Sequence, residues 1–161
     1  MYKIGIITVS DKGSRGERED RSGPAILEMV KELGEVVSYK ILPDDLDVLK
    51  EEMVNMSDKL KVDLILTTGG TGLSPRDNTP EATLAVIDRE VPGLPEAMRR
   101  ESLKKSKHAM LSRAVAGVRN RTLIINLPGS VKGVQECLEV ILPALPHGLD
   151  ILTGRGGECG S

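Results

Sequence analysis

Apolar positions recur along this chain in two rhythms. Lys3 to Val9 is a β-branched run without clear alternation, the pattern of a strand covered on both faces, and a polar loop from Ser10 to Arg21 follows. Ile26, Leu27, Val30 and Leu33 then step at helical spacing, with Ser22 as N-cap, Pro24 in the first turn and Gly34 as the stop. Val36 to Leu42 reads as a second strand. Leu46, Leu49, Met53, Met56 and Leu60 form the stripe of a second helix, ahead of a buried strand over Val62 to Thr68.

Past the glycine cluster at Gly69, Thr79 is placed to cap a helix with Pro80 in its first turn, and Pro95 to about Lys107 reads as another. Arg113 to Val118 and Thr122 to Asn126 flank a tight Asn120-Arg121 connection, which predicts a hairpin. Ser130 caps a helix to about Leu142, and a last helix covers about Ala144 to Leu152. Strands alternating with amphipathic helices predict an α/β fold with a mostly parallel sheet, mixed because of the hairpin, and ligands at the carboxyl ends of strands. One domain over 1–153 is expected, with 154–161 as a frayed polar tail.

Composition narrows the chemistry. At 161 residues, with 39% hydrophobic and 29% charged residues, the chain can bury a core without disulfides. Tyr2 and Tyr39 are the only aromatic residues, so the core must be aliphatic and base stacking cannot hold a nucleic acid. A formal net charge of −2 gives no field to attract a polyanion; an anionic ligand must be small and held by local donors. Cys137 and Cys159 lack metal-ligand spacing and read as inert reduced thiols of a cytoplasmic protein. No long apolar run predicts a membrane span.

The chemistry concentrates in TTGGTGLSPRDNTPEAT. Gly69, Gly70 and Gly72 around Thr71 follow a strand end, where glycine lets main-chain N–H groups face a phosphate at close range; a tight turn without ligand is the plainer alternative. Neither the Walker nor the dinucleotide fingerprint matches. Asp77, beyond Pro75 and Arg76, and Asp44, after Pro43 at the end of the second strand, are both positioned to reach the ligand edge, although capping would explain either. Asn126 to Ser130 marks another strand end before a helix N-terminus, which favours an anion or simply a turn. Arg99, Arg100, Lys104, Lys105 and Lys107 read as a solvated basic face, and His108 and His147 receive no role.

Together, IITVSDKGSRGEREDRSGP, LPDD, LILTTGGTGLSPRDNTPEAT, PGLPEAMRRESLKKSKHAMLSRAVAG and LIINLPGSVKGVQECLEVILPAL resemble the MogA/MoaB family of molybdenum cofactor biosynthesis over roughly Lys3 to Leu152. The resemblance implies a three-layer α/β/α sandwich, usually trimeric and possibly hexameric. It also implies transfer of AMP from ATP to the terminal phosphate of molybdopterin, with release of pyrophosphate. Gephyrin shares the fold. By matching motif, the essential aspartates fall on Asp44 and Asp77. Nucleotide contacts fall on Ser10, Asp11, Gly69, Gly70, Thr71, Gly72, Asn126, Pro128, Gly129 and Ser130, and pterin contacts on Ser102, Ser112 and Arg113. The stretch Lys105 to His108 is more basic than the resemblance leads one to expect.

Since the reaction brings a phosphate against a triphosphate, Asp44 and Asp77 are expected to hold Mg²⁺ between them. A downstream molybdenum-inserting protein is the expected partner, with no nucleic acid and no membrane. Three other readings remain: a MoaB-like pterin-binding or assembly protein with little catalysis, a protein-interaction module, and a generic nucleotide-binding domain.

Overall fold

The computed structural model describes residues 1–156. Six strands form one sheet: β1 (Tyr2–Val9), β2 (Gly34–Leu42), β3 (Leu64–Thr68), β4 (Arg89–Glu90), β5 (Ala116–Arg119) and β6 (Thr122–Leu127), in the order β2-β1-β3-β6-β5-β4. β1 pairs in parallel with β2 and β3, and β3 with β6, whereas β5 runs antiparallel to both β6 and β4. The hairpin turns at Asn120, whose φ of 53° lies in the left-handed region that asparagine tolerates.

Side-chain alternation divides the helices between two faces. Ile4 and Ile6 of β1, Leu64 and Leu66 of β3 and Leu123 and Ile125 of β6 face one core cluster. There they meet α2 (Ser22–Met29), α5 (Gly93–Leu103), α6 (Val131–Ile141) and α7 (Leu145–Thr153). Ile7, Ile65 and Ile124 face the opposite way, against α3 (Leu46–Val54) and α4 (Thr79–Val86). The result is the three-layer α/β/α sandwich with a mixed sheet. Each fully buried aliphatic side chain is worth about 1.5–3 kcal/mol, so two such layers hold the sheet without aromatic residues.

Several local expectations give way to tertiary context. The loop after β1 contains a short helix, α1 (Asp11–Ser14), capped by Ser10. Ser22 is the first residue of α2 rather than its cap; Asp20 takes that role, accepting from the Gly23 N–H at 3.1 Å. Gly34 opens β2 instead of closing a helix. The stripe from Leu46 to Leu60 is narrower than its spacing implies: Leu49, Met53 and Met56 are buried, but Leu46 and Leu60 are exposed.

Thr79 belongs to the first turn of α4, with its hydroxyl turned inward to the Gly69 carbonyl at 2.9 Å. The helix expected from Pro95 to Lys107 runs from Gly93 to Leu103, and Lys107–Leu111 form a separate 3₁₀ turn. Strand β4 had no readable pattern in its two exposed residues. In the expected tail, Arg155 bonds Asp63 at 3.2 Å and lies 4.9 Å from the Tyr2 ring centroid, which holds the chain end against β1 and β3. The remainder of that segment, with Cys159, lies outside the described residues. Cys137 is buried on α6.

Candidate functional site

The three central strands β1, β3 and β6 run in parallel and end on the same edge of the sheet. Gly69 follows β3 with φ +96° and Gly70 with φ +70°, conformations that a side chain would strain. Space forbids one as well. A Cβ on Gly69 would come within 2.6 Å of the Val9 carbonyl oxygen, and one on Gly70 within 2.3 Å of Thr79 Oγ1. Thr68 Oγ1 donates to the Pro128 carbonyl at 2.6 Å and Gly69 N–H to the Leu127 carbonyl at 3.2 Å, joining the ends of β3 and β6. Among the described residues, the main-chain N–H groups of Gly70, Thr71 and Gly72 have no protein acceptor. Three consecutive free donors beside a helix start suit an anion.

Asp44 and Asp77 converge on this turn. Asp44 is buried; its Oδ1 accepts from Asn78 N–H at 2.9 Å, and its Oδ2 lies 2.9 Å from where a Gly70 side chain would begin. Asp77 Oδ2 accepts from Ser74 N–H at 3.0 Å and lies 2.9 Å from the corresponding point at Gly72. Each carboxylate thus uses one oxygen to shape the loop and leaves the other without a protein donor among the described residues. Burial pushes the Asp44 carboxyl above the ordinary range; the Asn78 N–H opposes that shift, and the charges of Asp77 and Asp11 reinforce it.

Asp11 accepts from Asp44 N–H at 2.9 Å and receives both arms of the Arg76 guanidinium, at 3.0 and 2.8 Å. The Arg76 bonds and the Asp44 N–H hold it below the usual carboxylate range.

Two clefts open on either side of the glycine turn and share Ser130. The larger, about 650 Å³, lies between α5, α6 and the Lys107–Leu111 turn; Thr71, Gly72, Ser102, Ser112 and Pro128 line it. The smaller, about 460 Å³, is lined by Thr8, Ser10, Asp20, Gly69 and Gly129. Ser102 and Ser112, expected on the pterin side, thus face the larger space, and Ser10, Gly69 and Gly129, expected on the nucleotide side, face the smaller; Thr71, Gly72, Asn126 and Pro128, also expected on the nucleotide side, line the larger cleft instead.

Two expected residues play internal parts. Asn126 is buried, donates to Thr67 Oγ1 at 3.1 Å and Thr83 Oγ1 at 2.9 Å, and accepts from Val115 N–H at 3.1 Å; its side chain ties β6 to α4. Arg113 points away from the larger cleft. Its guanidinium bonds the Gly72 carbonyl at 2.7 Å, the Asp77 carbonyl at 2.9 Å and Glu81 at 2.6 Å, clamping the loop that carries Asp77. Ser130 caps α6 through Gly133 N–H at 3.0 Å.

Sequence reasoning passed over Arg76, whose role is set by an acceptor 65 positions away, and Asp20. Asp20 accepts from Thr8 Oγ1, Ser22 Oγ, Gly23 N–H and the Tyr39 hydroxyl inside the smaller cleft. Its position three residues before Gly23, the spacing of a capping aspartate, was a usable signal. Glu136 and His108, which line the larger cleft, were also unassigned.

A family model described as "Probable molybdopterin binding domain" matches residues 5–147. The chain belongs to this family. Its curated relatives include the molybdopterin adenylyltransferase of Helicobacter pylori strain J99, 46% identical over 155 residues, which cover 94% of this chain and 88% of that protein. Among solved structures, the molybdopterin biosynthesis enzyme MoaB of Thermus thermophilus is 55% identical, with a TM-score of 0.90 over 96% of this chain and 98% of the other. The tungsten cofactor synthesizing protein MoaB of Pyrococcus furiosus is 40% identical, with a TM-score of 0.83 over 94% and 96%. The matched span of the molybdopterin-binding family contains the glycine turn, both aspartates and the residues that line the two clefts between Gly5 and His147. No helix among the described residues is long and apolar enough to cross a membrane.

Proposed function

We propose that this protein is a molybdopterin adenylyltransferase, transferring AMP from ATP to the terminal phosphate of molybdopterin. The observation that carries the reading is the meeting of two clefts at a strip of free main-chain N–H groups, with Asp44 and Asp77 beside it. The name of the Helicobacter pylori relative supports it. Self-association as a homotrimer belongs to the same reading and rests on the family resemblance.

In this reaction an oxygen of the pterin phosphate attacks the α-phosphorus of ATP; the new P–O bond forms as the bond to pyrophosphate breaks. A phosphate monoester with a second pKa near 6 is already mostly dianionic at neutral pH, so no general base is needed. The obstacle is repulsion, about 4 kcal/mol per pair of unit charges at ~4 Å and an effective dielectric of ~20. The Gly70, Thr71 and Gly72 N–H groups stabilise the charge that develops on the transferred phosphate. Arg113 fixes the loop from Gly72 to Asp77 so that these donors and the Asp77 carboxylate keep one geometry.

Asp44 and Asp77 would hold one Mg²⁺ through the carboxylate oxygens left without a protein donor; this ion is held by one or two carboxylates together with substrate phosphates. No cluster of three or more metal-binding side chains exists among the described residues, so the remaining ligands would be substrate phosphates and water. An ion held there would supply neutralisation of the phosphate charges.

The test is incubation with molybdopterin, ATP and Mg²⁺, followed by detection of adenylylated pterin and pyrophosphate. Adenylylated product supports the proposal. Pterin binding without product would favour the second reading, a pterin-binding or assembly protein, which the likeness to the Thermus thermophilus MoaB keeps open.

A further inference from the structure

Glu136 stands on α6 at the far end of the larger cleft from the glycine turn. Among the described residues it is the only acidic one in that lining, which also holds apolar side chains such as Pro95, Met98 and Leu111. Its side chain is 21% exposed, and its nearest charged neighbours are Lys105 Nζ at 3.7 Å and Lys132 Nζ at 3.9 Å. Both lysines are mostly solvated and sit at the long limit of an ion pair, so neither fixes the carboxylate. Two further facts place it at the end of a path. Ser130, Gly133 and Glu136 follow one another at three-residue intervals along α6, and all three line the cleft. Six residues of helix separate Ser130 from Glu136 by about 9 Å. Phosphate donors therefore sit at one end of an apolar slot and a single carboxylate at the other.

The 2-amino-4-oxo pyrimidine edge of a pterin presents two parallel donors, the 2-amino N–H and the ring N3–H. A carboxylate matches that pair with both oxygens, and a charge-assisted bidentate contact in a partly desolvated slot gives strong discrimination. We infer that Glu136 is the residue that selects a 2-amino-4-oxopteridine in the larger cleft by accepting both of its N–H groups, while the neighbouring lysines face the 4-oxo oxygen. This rests on the pterin substrate proposed above and specifies how that substrate is told from other fused heterocycles.

Lumazine is the discriminating probe, because its 2-oxo group replaces the 2-amino donor with an acceptor that repels a carboxylate. Simple pterin and lumazine are titrated by equilibrium dialysis against the full-length protein and against Glu136→Gln, an isosteric change at a helix surface. The wild type binds pterin at least tenfold tighter than lumazine. Glu136→Gln loses at least tenfold in pterin affinity and gains affinity for lumazine, whose 2-oxo group the new amide can meet. KM for molybdopterin rises at least tenfold in the variant, with kcat changed less than threefold. Glu139→Gln, one turn further along and outside the larger cleft, keeps the wild-type preference.

A folded Glu136→Gln protein that still prefers pterin as the wild type does overturns the assignment and leaves the pterin substrate standing. Wild-type protein that binds pterin and lumazine equally also overturns it. Wild-type protein that binds neither pterin nor molybdopterin removes the proposed function, and this inference with it.

Discussion

Asp44 Oδ1 accepts the main-chain N–H of Asn78 at 2.9 Å, joining the end of β2 to the start of α4 across 34 positions of sequence. The bond holds a buried carboxylate against the glycine turn, near Asp77 and Asp11, where each added negative charge raises its proton affinity. The arrangement opposes its own stability unless a cation or a chain of donors arrives.

Asp44→Asn is therefore expected to stabilise the free protein while removing its activity. A carboxyl with a folded pKa above its unfolded value adds stability at pH below the unfolded value and loses it as pH rises through the folded value. The wild type therefore loses that contribution as the pH rises, and the asparagine variant has none to lose. The amide variant, which can still accept from Asn78, should melt higher at pH 7, with the gap shrinking on acidification; thermal melts from pH 7 down to 4 measure it.

Asp77→Asn keeps an acceptor for Ser74 N–H and removes the charge. Turnover should fall by about 100-fold or more, the scale of a lost transition-state electrostatic contact, while pterin affinity changes less than a few-fold. Steady-state assays over a range of Mg²⁺, paired with pterin titration, check this. Near-normal rates in excess Mg²⁺ would remove Asp77 from the metal role.

Gly70→Ala places a side chain at φ +70° and drives it into Thr79 Oγ1. Backbone strain of this kind costs roughly 1–3 kcal/mol, which for a chain of this length lowers the melting temperature by about 2–4 °C per kcal/mol. ATP affinity should fall with it. Calorimetry of the variant with and without ATP separates the two effects.

Arg113→Lys preserves charge and destroys the fork that spans the Gly72 and Asp77 carbonyls. The pair with Glu81 is largely exposed and worth little on its own. The expected loss therefore appears in turnover, about tenfold, with a smaller effect on the melting temperature; parallel kinetics and melts show whether the clamp acts on the loop or on the whole fold.

The strands, the helical stripes and the mixed sheet were legible because Ile, Val and Leu at buried spacing mark them locally. So were the site's main parts: glycines with positive φ and aspartates at strand and loop ends announce themselves by type and order. The structural parts played by Arg113 and Asn126 were not legible, because a side chain's partner is a long-range fact. Arg113 meets Gly72, 41 positions away, and Asn126 meets Thr83, 43 away, and no local pattern encodes either contact. Ser22 and Thr79 show a related effect. Each has the chemistry of a cap, but Asp20 wins the role in one case, and in the other the pull of the buried Gly69 carbonyl outweighs it.

The aliphatic core has an optical consequence. With no tryptophan in the chain, ultraviolet emission arises from Tyr2 and Tyr39 alone. Tyr2 lies beneath the Arg155 guanidinium at the far end of β1, and the Tyr39 hydroxyl bonds Asp20 in the wall of the smaller cleft. Replacing Tyr2 with leucine would leave a single native fluorophore, Tyr39, hydrogen-bonded to a residue of that cleft's wall.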